Sequence, residues 1–263
     1  MKTKILFSLL AFTLGALPLL AELKYFPKDK EELIALVADE SIKLDEIDTS
    51  KITDMSFLFC EAKDETRARN YLSQCGLAVR KDYKGIGKWD VSNVETMEKM
   101  FFDNEKFNEP IGEWDVSNVK DFNYMFSGAR FFNQDLSSWD MSNVKDMSWM
   151  FARTASFNQP LNSWNVSNVK NMRAMFASAK AFNQPLNSWN VSNVENMRAM
   201  FFEAVSFNQD LSSWDVRNVK DMSKMFNGAS AFSYDFDWDL EGKKIKGGLI
   251  GGTALYKRLY GDK

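Results

Sequence analysis

The sequence predicts an α/β solenoid: a stack of coils of about 25 residues, each a short parallel strand followed by a short helix or 3₁₀ turn, capped at both ends. Three observations predict it. Trp89, Trp114, Trp139, Trp164, Trp189 and Trp214 stand at a constant spacing of 25, with Trp238 following at 24. Met100, Met125, Met150, Met175, Met200 and Met225 keep the same period, each followed directly by Phe. So do Phe107, Phe132, Phe157, Phe182, Phe207 and Phe232.

The elements follow in order along the chain. Lys2 and Lys4, the apolar run 5–20 and the small Ala21 before Glu22 have the three-part layout of a secretory signal peptide, 1–21, cleaved after Ala21. The competing reading is an uncleaved anchor, for which the run is short and holds Gly15 and Pro18. No Cys follows the run to carry a lipid. The cleaved chain is then expected not to insert in a membrane and to work as a monomer in the periplasm, at the cell surface or outside the cell.

Residues 22–46 form the N-terminal cap. Pro27 or Asp29 starts a helix with acidic residues in its first turn, and Leu33, Leu36 and Val37 make its apolar face. The solenoid proper spans 47–236. Ile47-Asp48-Thr49-Ser50-Lys51-Ile52-Thr53-Asp54-Met55 is a degenerate first unit, with Ile47 where later units have Trp. The gap of 42 from Ile47 to Trp89 places an insertion at about 60–84. Cys60 and Cys75, the only cysteines, lie in it. In an exported chain they predict a disulfide. A metal or redox pair is the alternative, but there is no Cys-x-x-Cys and the chain has no histidine.

Within a unit, Leu136, Trp139 and Met141 suit a strand with one buried face. Val144, Met147, Met150 and Phe151 fall at helical spacing, with Ser142 or Asn143 as N-cap. Stacked coils would form internal Trp, Phe and Met ladders, and Asn93, Asn118, Asn143, Asn168, Asn193 and Asn218 a buried amide ladder. Residues 237–263, rich in Gly, read as a C-terminal cap ending in a short helix. Their glycines lack the Gly-Lys-Ser/Thr ending of a phosphate loop.

The string Phe-Asn-Gln-Asp-Leu-Ser-Ser-Trp-Asp-Val-x-Asn-Val-x-Asp-Met-Ser-x-Met-Phe, as at 207–226, resembles the repeat of BspA-like leucine-rich-repeat surface proteins of bacteria. The resemblance covers about 47–236. It implies a right-handed leucine-rich-repeat-like fold and a surface or secreted protein associated with attachment to host proteins or other cells.

Composition narrows the function. Charged residues are 26% and the net charge is −3, so there is no basic excess for nucleic acid. Lacking histidine, the chain lacks the residue that titrates near neutrality and the commonest metal ligand. No cofactor and no metal site is expected, and no catalytic residue is assigned. Candidate binding residues come from the column that varies between units: Lys99, Tyr124, Trp149, Ala174, Ala199, Lys224. Tyr124 and Trp149, with the irregular Phe102, Phe131 and Phe202, would form an aromatic patch if exposed, or pack under loops if not. Asp90, Asp115, Asp140, Asn165, Asn190 and Asp215 form a polar ladder, read as a solvated face with turn-capping roles. The favoured function is an exported module that binds a protein or glycan, including a host-derived one. The alternatives are a structural envelope scaffold and, more remotely, a carboxylate-based glycosidase, which a cleft interrupting the stack would favour.

Overall fold

The computed structural model describes residues 22–61, 75–235, 238, 239, 241 and 248–254. The segment 1–21 read from sequence as a signal peptide, part of the insertion and the C-terminal helix expected beyond Ala254 lie outside the described residues.

The 25-residue unit becomes one coil, and consecutive coils lie in parallel register. Isolated parallel bridges join Asp54 to Thr96, then Thr96, Asp121, Asp146, Asn171, Asn196 and Asp221 in sequence. Among the described residues these single bridges, with one from Tyr25 to Ile47 at the N-terminal end, are the only pairing that qualifies as β structure. Among the described residues there is no strand and no sheet, and the one α-helix is the N-terminal cap. The expected α/β solenoid of leucine-rich-repeat type is therefore overturned: the coils are built from turns.

Hydrogen bonding explains both departures. Where a helix was expected, amides do not reach back four residues. Met150, Ala152 and Thr154 N–H close four-residue turns onto Met147, Trp149 and Phe151 O, at 3.2, 3.1 and 3.2 Å. The alternating amides of Met147, Trp149, Phe151 and Arg153 donate instead to Asn171, Arg173, Met175 and Ala177 of the next coil, at 2.7–3.0 Å. Trp149 and Arg153 both have φ of 61°, which no right-handed helix accommodates. Buried residues three apart fit consecutive turns as well as a helix.

Where a strand was expected, side chains make the links between coils. The Asn108 side-chain oxygen accepts the Asn133 N–H at 2.9 Å, and Gln134 Nε2 donates to Asn108 O at 2.8 Å. Ser138 Oγ donates to Gly112 O, and Asn143 Nδ2 to Ser117 O. Amide and hydroxyl groups thus replace a backbone ladder. The asparagines before each valine are exposed, not buried, because only the amide nitrogen turns back to the preceding coil.

The core consists of continuous aromatic and methionine columns. Phe126, Phe151, Phe176 and Phe201 stack at 5.6–5.7 Å, interleaved with Phe132, Phe157, Phe182 and Phe207. The six indoles of the regular series are 3–4% exposed. Each indole N–H donates to a backbone carbonyl of an earlier coil, as Trp164 Nε1 does to Leu136 O at 2.9 Å. That bond removes the cost of burying the indole's polar atom. Burying each large apolar side chain stabilises by about 1.5–3 kcal/mol.

The ends are closed differently. Helix α1, Lys30–Ala38, begins at Asp29, whose carboxylate accepts the Glu32 N–H at 2.9 Å, and buries Leu33 and Val37. The buried Arg80 guanidinium, returning from the insertion, donates to Val37, Asp39 and Ile42 O at 2.8–3.0 Å. It satisfies carbonyls that the end of α1 leaves open. At the far end, Lys224, Phe226 and Gly228 N–H donate to Gly248, Leu249 and Gly251 O, so 248–251 acts as an abbreviated last coil. Trp238 stacks on Trp214 at 6.4 Å.

Candidate functional site

The turn-built segment sets one lateral face of the stack. In each coil the residue two after the first core Met or Phe adopts the left-handed conformation: Phe57, Lys99, Tyr124, Trp149, Ala174, Ala199 and Lys224, with φ of 52–61°. It occupies the third position of a four-residue turn, where positive φ is required and Gly is the usual choice. A second left-handed column, four residues on, comprises Asp103, Gly128, Arg153, Ser178, Glu203 and Gly228. Each non-glycine residue there costs roughly 1–2 kcal/mol. The inter-coil bonds on both sides hold it in place. The column that varies most in sequence thus lies at the left-handed corner of each coil, part-exposed or exposed in every coil but that of the buried Ala174.

Its first members form a continuous aromatic and cationic run. The Lys99 ammonium lies 4.8 Å from the Phe57 ring centroid and 5.3 Å from that of Tyr124. Tyr124 stacks on Trp149 at 5.4 Å, with planes 5° apart. The Arg173 guanidinium sits 5.8 Å from the Trp149 ring. Such cation–π contacts contribute about 0.5–1 kcal/mol each where exposed. The Glu98 carboxylate pairs with Lys99.

The predicted aromatic patch is placed as follows. Tyr124, Trp149 and Phe202 are half-buried, and Phe102 is 5% exposed. Phe102 packs edge-on to Tyr124 at 5.9 Å in a cluster with Phe57 and the Cys60–Cys75 disulfide. Arg153 lies over Phe102 at 5.7 Å and pairs with Asp103 at 2.7 Å. Trp149 and Phe202 share a second cluster, floored by Ala152, Ala174 and Ala177. The Tyr124–Trp149 stack joins the two clusters. Phe131 is 60% exposed but makes no ring contact with the other four, and its N–H is bonded to Glu105 O. Sequence reasoning did not single out Phe57, Arg153 and Arg173. Phe57 was legible, since it stands two after Met55 as Trp149 stands two after Met147. The two arginines reach rings 51 and 24 residues away, which only the stack reveals.

The bridge column runs beside this face. Its side chains accept the N–H two residues on, as Asp146 does from Ser148 at 2.7 Å. Burial pushes the Asp121 carboxyl above the ordinary range, helped by the Asp146 and Glu98 carboxylates and opposed by the Asn123 N–H. At Asp54 burial is outweighed by hydrogen bonds from Ser56 and Lys30, and the carboxyl falls below it. On the polar ladder, Asp115 is also lowered, by the Ser117 hydroxyl and N–H.

A cavity of about 590 Å³ opens beside the first full coils, lined by Asp45, Glu109, Glu113 and Asp135 with Lys84 and Lys88. Lys88 pairs with Asp45 at 3.0 Å. Hydrogen bonds from Ser137 hold Asp135 below the ordinary carboxylate range, opposite to what a general acid needs. No group of three or more metal-ligating side chains converges among the described residues.

Comparison with known proteins adds a family. The model for "Mycoplasma protein of unknown function, DUF285" matches residues 69–184 and again 161–247, together more than half of the 263 residues. No curated protein and no solved structure matches the chain.

Proposed function

Because the chain belongs to the DUF285 family, described as being of unknown function, its role must be read from its own surface, and we propose that it is an exported interaction module that binds a protein or glycan through the face bearing Tyr124 and Trp149. The observation that carries this is the run Phe57–Lys99–Tyr124–Trp149–Arg173, in which two cations and three half-buried rings contact one another in sequence along the varying corner of an otherwise repetitive stack. Stacked aromatics and guanidinium groups are the side chains that dominate binding energy at interfaces. Export is supported by the charged-apolar-small layout of 1–21 and by the Cys60–Cys75 disulfide, which suits an oxidising compartment. The finer resemblance to BspA-like surface proteins supports attachment to host material as the role. The reading assigns no catalysis to the chain.

The test is a binding screen of the protein against matrix proteins and glycans, repeated with Trp149→Ala and Tyr124→Ala. Each variant is expected to lose at least tenfold in affinity for the ligand found. Unchanged binding in both would remove this face from the function.

A further inference from the structure

The coils of Arg173 and Arg198 differ from their neighbours in charge. The bridge column holds Asp at 54, 121, 146 and 221, but Asn at 171 and 196. Asn171 Oδ1 still accepts the Arg173 N–H at 3.1 Å, and Asn196 Oδ1 the Arg198 N–H at 3.0 Å. The turn is therefore kept and only the carboxylate is lost. These are also the coils in which an arginine stands two residues after the bridge. Neither guanidinium has a carboxylate partner among the described residues. Lys145 and Lys170, one residue before the bridge column, likewise make no salt bridge there, although the Lys170 charge acts on the Glu195 carboxylate of the next coil.

The surrounding carboxylates are engaged elsewhere. Asp146 of the preceding coil accepts from the Ser148 N–H and hydroxyl and from Asn171 Nδ2. Asp221 of the following coil accepts from the Ser223 N–H. Glu195 pairs with Lys220, and Glu203 accepts from the Ser178 hydroxyl at 3.1 Å. In a chain whose net charge is −3, four cations without a salt bridge, Arg173 and Arg198 foremost, beside half-buried rings are a local inversion. Arg presents a planar fork that matches carboxylate and sulfate oxygens.

Resting on the binding role proposed above, we propose that this face binds an acidic polysaccharide. Its carboxylate or sulfate groups pair with Arg173 and Arg198, and the apolar face of a sugar ring lies against Trp149 and Phe202. The two arginines stand at the same position of consecutive coils, so successive acidic groups along one extended glycan meet successive guanidiniums.

The experiment measures binding of the full chain to immobilised heparin, hyaluronan and neutral dextran, and to poly-glutamate, over a salt series. The expected result is salt-sensitive binding to heparin or hyaluronan that exceeds binding to dextran and poly-glutamate at least tenfold. Arg173→Gln with Arg198→Gln should lose at least tenfold in that affinity without a change in melting temperature. Asn171→Asp with Asn196→Asp, which restores the carboxylate found in other coils, should weaken it as well and serves if the arginine variants fold poorly. Absence of binding to both acidic glycans, equal binding to dextran or poly-glutamate, or unchanged affinity in both double variants would overturn the acidic-glycan assignment. If Trp149→Ala still abolishes binding to some other ligand, the interaction module survives that failure; if it does not, both readings fall.

Discussion

Tyr124 and Trp149 lie one coil apart with ring centroids 5.4 Å apart and planes 5° from parallel. The pair sits at the outer corner of the coils, whereas the regular indoles stack inside with their N–H groups bonded to backbone. The outer Trp149 and the inner Trp164 therefore have different work.

Their substitution should separate the two. Trp164→Ala is expected to cost about 3–5 kcal/mol, from lost burial and the cavity left behind. Trp164→Phe should cost about 1–3 kcal/mol, because Leu136 O loses its buried donor. Trp149→Ala, half-buried, should cost clearly less than Trp164→Ala while removing ligand binding. Urea denaturation beside a binding assay checks all three.

The left-handed corners predict an unusual ranking at Lys224, which is exposed with φ of 60°. Lys224→Gly should stabilise by up to about 1 kcal/mol, since relief of the backbone strain exceeds the added freedom of the unfolded chain. Lys224→Val should destabilise by about 1–2 kcal/mol, because a β-branched residue tolerates positive φ worst. A Gly variant less stable than the parent would contradict the turn geometry.

Reducing the Cys60–Cys75 disulfide opens a 15-residue separation and should lower stability by about 3 kcal/mol in the chain-entropy account. The bond also lines the cluster beneath Phe102 and Tyr124. Thermal melting with and without dithiothreitol should show the loss. The paired variant Cys60→Ser with Cys75→Ser should melt at the reduced temperature and no longer respond to reductant.

Asp121 predicts a pH effect of defined sign. Its carboxyl lies above the ordinary range through burial, then the Asp146 and Glu98 charges. The folded state thus disfavours the ionised form, and the penalty is fully present above the folded-state pKa. It disappears as pH falls through that value toward the unfolded one. Asp121→Asn should accordingly stabilise at neutral pH, with a gain that shrinks on acidification. The column already accommodates Asn at 171 and 196 with the same acceptor bond. Denaturation of both proteins at neutral and acidic pH tests this; a gain that grows on acidification would reject it.

The sequence by itself determines the coil length, the register and the identity of the stacked columns, because an array that buries like on like must repeat its rungs at one period. It also marks the corner where units differ, which is how Tyr124 and Trp149 stand out, and it brackets the Cys60–Cys75 pair. Only the tertiary structure decides the backbone path inside a coil. Met147, Met150 and Phe151 carry the same spacing whether the segment is a helix or a row of turns. What selects turns is that the Trp149 and Phe151 amides find acceptors on Arg173 and Met175 of the next coil. The same holds for the proposed binding face: Arg173 meets Trp149, and Arg153 meets Phe102, through stacking of distant segments. Local pattern encodes which residues avoid water, while the partner of each hydrogen bond and each charge is fixed by which coil lies alongside.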